Sequence, residues 1–224
     1  MSSPSSLPPQ RRRPVGAAVF SLAVALAAAL PVCLPAAGAS AAVAETGASG
    51  IVRQFYDALL STMKDGPQLR FQGRFERLTP AVTQAFDLPA MTRIAAGAQW
   101  PAVKPEDQQR LIDAFSRFSV ANYAANFDSF GGERFEVVGE APAPSGTGGV
   151  IVETRLVPKS GDPVQLNYLL RPGKSGLRIL DVYVNGTISE LASRRSEFAS
   201  VLNTDGADGL TKLLETKVRD LAKK

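Results

Sequence analysis

At about residue 133 the hydrophobic period of this chain changes from that of a helix to that of a strand, and no other feature restricts its fold as much. Upstream, Ile51, Val52, Phe55, Tyr56, Leu59, Leu60 and Met63 recur at helical spacing until Gly66-Pro67 ends the run. A short second helix is expected over residues 69–78, stopped before Pro80, with a further turn or two over 80–86. Asp87 has the chemistry of an N-cap for a helix holding Met91 and Ile94, with Gly97 near its end. Pro105 suits the start of a long helix with Leu111, Ile112, Phe115, Phe118 and Tyr123 on one face. Downstream, residues 133–140, 149–157, 163–171 and 177–184 alternate with the period of a strand. Their linkers are short and turn-rich, so neighbours pair antiparallel; parallel pairing needs long crossovers. Two closing helices are expected, over residues 187–202 and from Gly209 onward. Helices, a meander and helices again predict an α+β domain with helices packed on one face of the sheet.

Residues 1–44 stand outside that domain. Arg11, Arg12 and Arg13 precede an apolar run of Ala, Val and Leu, and small residues follow as far as Ala44. This is the layout of a bacterial secretory signal, with Ala42-Val43-Ala44 as the best cleavage site and Ala37-Gly38-Ala39 nearly as good. The apolar run spans about 16 residues before Pro31, short for a membrane helix. The whole chain has 25 Lys+Arg and 21 Asp+Glu; without the three signal arginines the balance is 22 − 21 = +1. Such a balance does not argue for a nucleic-acid partner. Cys33, the one cysteine, leaves with the signal, and the chain has no histidine. Disulfides, thiol nucleophiles, Ser-His-Asp triads and His-ligated metals are therefore excluded for residues 45–224, a length that suits one well-cored domain.

The stretch 181-DVYVNGTISELASRR-195 carries the sharpest local signals. Asp181 and Tyr183 share one strand face, while Leu180, Val182 and Val184 occupy the other. An Asp with a Tyr beside an apolar pocket can abstract a proton next to a carbonyl, which defines the alternative reading, a small isomerase- or hydratase-type enzyme using Asp181 and a Tyr. If the wholly apolar face is the core face, Asp181 and Tyr183 point outward and carry no chemistry. Asn185-Gly186 is a tight-turn signal because both residues accept positive φ. Thr187-Ile188-Ser189-Glu190 fits a capping box opening the next helix.

The order of these signals resembles a known family. Phe86-Asp87, Met91, Gly97 and Trp100 are followed by the helix with Phe115, Phe118 and Tyr123, then by Asp181-Val182-Tyr183-Val184-Asn185-Gly186 and by residues 205–210. Together they resemble the MlaC, or toluene-tolerance, family of periplasmic lipid-binding auxiliary proteins of ABC transport, and most resemble its HpnM, hopanoid-associated branch. The resemblance spans roughly residues 50–220. It implies a four- to five-stranded curved antiparallel sheet covered by a helical layer, with a lipid cavity between them, and no enzymatic activity or cofactor. It also implies a periplasmic carrier that shields a phospholipid or hopanoid and shuttles it between membranes, with an inner-membrane transporter complex of the ABC/MCE or RND type as partner. Such a cavity needs apolar positions facing between the layers. The periodicity offers Phe55 and Leu59 on the first helix, Met91, Ile94 and Trp100 after Asp87, Phe115 and Phe118 on the long helix, and Leu180, Val182 and Val184 on the last long strand.

Overall fold

The computed structural model describes residues 47–223, all of which lie in one compact unit; the secretory signal expected at residues 1–44 lies outside them. Helix α1 (Ala48–Lys64) buries Val52, Phe55, Tyr56, Leu59 and Met63 along one face, as its spacing predicts. The chain then turns directly into α2 (Gly66–Ala85). Gly66 is required there by close approach: a Cβ at this position would lie 2.0 Å from the carbonyl oxygen of Asp128. Buried Arg74 closes the same corner, its Nε donating to Ala124 O at 2.7 Å and its guanidinium to Gly66 O at 2.9 Å. These contacts satisfy a carbonyl near the end of a helix that has no partner within that helix.

Pro80 does not stop α2, contrary to expectation. The hydroxyls of Thr79 and Thr83 bond back to the Phe75 and Thr79 carbonyls, and Leu78, Val82 and Ala85 are buried on one face. Tertiary packing outweighs the lost N–H. The break in α2 falls instead at Arg70, whose φ is 53°. Phe86 then leaves the helix in extended conformation, and the chain bridges to the sheet, Asp87 N donating to Ile179 O at 2.8 Å.

Asp87 caps α3 (Leu88–Ala96) by accepting from Ala90 N at 3.0 Å. A 3₁₀ segment (Gly97–Ala102) carries Trp100, and α4 (Pro105–Asn126) opens on Pro105 as expected. The strands are β1 (Arg134–Pro142), β2 (Val150–Val157), β3 (Val164–Gly173), β4 (Gly176–Val184) and a two-residue β5 (Ile188–Ser189). They pair antiparallel in sequence order, giving an open meander. Register shifts between Val137 and Gly139 and between Leu169 and Leu170 bend the sheet and add twist.

Asn185 and Gly186 take the positive φ values their types allow, 52° and 76°, and close a hairpin that leads into β5. That extra pairing displaces the expected helix start. Ser189, not Thr187, caps α5 (Glu190–Leu221), accepting from Ala192 N at 2.9 Å. The two closing helices are expressed as one element broken at Gly206, where φ is 65°. The core fills the space between the helices and the concave face of β2–β4.

Candidate functional site

Strand register decides which side chains form the floor of the site. Leu166 lies opposite Val184 and Tyr168 opposite Val182, so these four side chains share one face of β3 and β4. They floor a cavity of about 240 Å³ whose helical walls are Met91 from α3, Phe115, Phe118 and Tyr123 from α4, and Leu191 from α5. Phe127 and Phe86 close two of its sides. Phe86 is held by the bridge to Ile179, and its ring packs against Phe55 at 5.2 Å and Tyr123 at 5.7 Å.

No group in this wall titrates near neutral pH. Burial pushes the Tyr168 and Tyr123 hydroxyls well above the ordinary tyrosine range. Tyr56, just behind Tyr168, is pushed up to about 12, mainly by burial. Its hydroxyl lies 2.6 Å from Thr154 Oγ1, which in turn donates to the Leu166 carbonyl. The Tyr56 and Thr154 hydroxyls behind the wall are thus tied to protein partners. The mouth is polar. Arg194 pairs with Glu190 at 3.0 Å and lies over the Phe118 ring at 4.8 Å, while Asn122 donates to Phe118 O at 3.0 Å. An apolar interior with a wet rim takes up a hydrophobic body whose end remains in water.

On the other side of Phe86 lies a wider cleft of about 770 Å³, between α3 and the β3–β4 hairpin. Its floor includes Phe86, Ile94 and Leu180, and its walls carry Arg93, Arg171, Lys174 and Arg178. Arg178 is oriented by donating to Thr83 O at 3.0 Å and to Gln84 O, carbonyls at the end of α2.

Five of the positions expected to face between the layers line the apolar cavity: Met91, Phe115, Phe118, Val182 and Val184. Ile94 and Leu180 line the adjoining cleft instead, Leu180 because it is the extra residue at the β4 register shift. Phe55 and Leu59 are buried behind the wall as core, and Trp100 sits half-buried in the 3₁₀ segment; none of the three lines either space. Sequence reasoning missed Phe86, Leu166, Tyr168 and the Glu190–Arg194 rim. The alternation of β3 was the available signal for Leu166 and Tyr168, which share its face with Leu170.

The outward placement expected for Asp181 is overturned. Asp181 is 7% exposed, and its carboxylate accepts from Val182 N at 2.8 Å, Leu191 N at 3.2 Å and Ser189 Oγ at 2.5 Å. Desolvation raises its pKa, opposed by these three hydrogen bonds. From Asp181 to Val184 the strand alternates as expected, but β5 and the start of α5 fold back and cover the Asp181 side. Neither Asp181 nor Tyr183 lines the cavity, so this pair is not presented to a bound molecule.

The comparisons agree with the geometry. No curated protein matches this chain. Among solved structures, it is similar to a phospholipid-binding protein from Ralstonia solanacearum, determined in complex with a phospholipid, at 25% identity and a TM-score of 0.66. That match covers 78% of this chain and 98% of the other. The sequence profile of the MlaC protein family matches residues 53–216, most of the chain, and on that match the chain belongs to the MlaC family.

Proposed function

We propose that this protein is an exported lipid carrier that shields the apolar part of a phospholipid or hopanoid and shuttles it between inner- and outer-membrane transport components. The observation that carries the reading is the cavity: apolar walls from two layers and a polar rim at Glu190 and Arg194. The likeness to the Ralstonia solanacearum phospholipid-binding protein supports a lipid as the occupant. The energetics fit. Exposing a chain of about 15 carbons to water costs on the order of 12 kcal/mol, at roughly 0.8 kcal/mol per methylene. A carrier removes that cost without any catalyst.

The remaining elements of the reading belong to it as proposals. The signal at residues 1–44 directs the chain to the periplasm. Likeness of the 181–198 stretch to the HpnM branch favours a hopanoid cargo and an RND-type transporter; a phospholipid would favour an ABC/MCE complex. Native mass spectrometry of the protein purified from a Gram-negative host is the test. The expected result is co-purified lipid on a chain lacking its first 44 residues. Repeatedly lipid-free protein that also takes up neither phospholipid nor hopanoid refutes the carrier reading.

A further inference from the structure

The wide cleft beside the cavity holds four cationic side chains, Arg93, Arg171, Lys174 and Arg178, and one carboxylate, Asp87. Four minus one leaves +3 in one cleft, against +1 for all of residues 45–224. The one carboxylate is committed, since Asp87 Oδ1 caps α3. Among the described residues, Arg93, Arg171 and Lys174 take part in none of the ion pairs. Moreover, Arg171 and Arg178 are direct cross-strand partners in the β3–β4 ladder. Like charges set opposite each other in this way repel and weaken the pair. Both side chains border the cleft, Arg178 anchored on the carbonyls at the end of α2 and Arg171 running along Gly148 and Gly149.

The size and setting of the cleft narrow the ligand. About 770 Å³ falls within the 300–1,000 Å³ typical of small-molecule sites, and a concave pocket of that size does not suit the flat face of a protein partner. Its floor is apolar, and Phe86 is at once a wall of the cleft and of the lipid cavity. Leu180 in the cleft and Val182 in the cavity are two residues apart on β4. An anion bound here therefore sits one aromatic ring away from an acyl chain. Phosphate matches guanidinium geometry with paired, charge-assisted hydrogen bonds.

We propose that this cleft binds the phosphate-bearing headgroup of the carried lipid through Arg93, Arg171, Lys174 and Arg178. The assignment rests on the carrier reading above in its phospholipid form, not its hopanoid form, and adds to it a headgroup preference: lipids with a phosphate are taken over neutral lipids with the same tails.

The test uses the mature chain, stripped of lipid and equilibrated with vesicles holding equal amounts of phosphatidylglycerol and diacylglycerol of identical acyl chains, with the captured lipids measured by mass spectrometry. Wild type is expected to favour phosphatidylglycerol, and R171E/K174E to lower the captured ratio by about thirtyfold, at roughly 1 kcal/mol for each of the two basic residues near a lipid phosphate. The variant folds, because both side chains are exposed and Arg171→Glu turns a like-charge pair into an opposite one; its melting temperature should be no lower than wild type. An unchanged ratio overturns the assignment. An unchanged ratio with saturable glycerol 3-phosphate binding that the variant abolishes assigns the cleft to a free phosphate ester and equally overturns it. So does an unchanged ratio with loss of vesicle co-sedimentation, which makes the cleft a membrane-docking surface. Capture of no lipid at all, diacylglycerol included, is the separate failure of the carrier reading.

Discussion

Replacing Asp181 by alanine separates a structural carboxylate from a catalytic one. Three donors converge on this side chain: the backbone N–H groups of Val182 and Leu191, and the Ser189 hydroxyl. Two of them lie at the start of α5, where a negative charge also interacts favourably with the helix dipole. Removing the acceptor leaves these donors in a site that is 7% exposed, and each buried unsatisfied group costs roughly 1–3 kcal/mol. The sum is discounted because desolvation already opposes the charge, as the raised pKa of Asp181 indicates. A net loss of about 3 kcal/mol remains. For a domain of this size each kcal/mol lowers the melting temperature by roughly 2–4 °C, so Asp181→Ala should melt about 6–12 °C below wild type. Asp181→Asn keeps one acceptor oxygen and should lose about a third as much. The assay is thermal unfolding followed by circular dichroism, with lipid content measured on the same preparations. Unchanged melting together with altered ligand handling would refute the bracketing role and restore Asp181 as a working group of the site.

Val182 is the next residue along the strand, on the opposite face, and its perturbation should do the reverse. Val182→Asp puts an unpaired carboxylate in the cavity floor and forfeits the burial of three or four methylenes, about 3 kcal/mol or on the order of 100-fold in lipid affinity, read by native mass spectrometry. Undiminished lipid content would show that the tail does not reach this floor. Alkaline titration tests the buried hydroxyls. All four tyrosines, Tyr56, Tyr123, Tyr168 and Tyr183, have pKa values raised in the fold. Raised folded values mean stability present below the ordinary tyrosine pKa and lost as pH climbs through the folded values, about 12 for Tyr56. Tyrosinate absorbance should therefore appear together with unfolding; a normal titration of the folded protein would contradict the burial. Phe86→Ala should lower the stability of lipid-free protein by roughly 3–5 kcal/mol while opening the cavity to the cleft, so that lipid addition raises its melting temperature more than that of wild type. Equal shifts for the two proteins would mean Phe86 does not divide the lipid site.

Much of this architecture is legible in periodicity. The switch at about residue 133 locates the sheet, and the short linkers set its antiparallel order, because both depend on local pattern. What the pattern leaves open is whatever depends on partners distant in sequence. Pro80 sits inside a helix because α2 is packed along its Leu78–Val82 face. Leu180 leaves the cavity face because of a register shift, and a shift of one residue is invisible in a run where Ile179, Leu180 and Val182 are all apolar. Asp181 is buried because β5 forms from two residues that read as a helix cap. The basic cleft is harder still to see. Arg93 on α3 comes together with Arg171, Lys174 and Arg178 only once the hairpin tip meets the start of α3, where a Cβ on Gly173 would lie 3.3 Å from the Asp87 carboxylate.

The volume of the cavity bears on how a carrier of the proposed kind would avoid exposing apolar surface. About 240 Å³ is below the size of a typical small-molecule site, so under the proposed carrier role the cavity would hold only part of one tail. On that proposal, loading would require the layers to part or Phe86 to move. The ring of Phe86 gives up its contacts with Phe55 and Tyr123 when it moves, each aromatic pair worth roughly 0.5–1.5 kcal/mol. Burying a full tail returns on the order of 12 kcal/mol at roughly 0.8 kcal/mol per methylene. On these figures the balance would favour opening when a tail is present and closure when it is absent. A ligand shifts such an equilibrium only by its differential affinity for the two forms, and the tail has nearly all of its affinity for the open one. The same ring is a wall of both the cavity and the basic cleft. If the carrier and headgroup proposals hold, its displacement by a tail would join the apolar and cationic compartments, and a lipid with both parts would engage both at once.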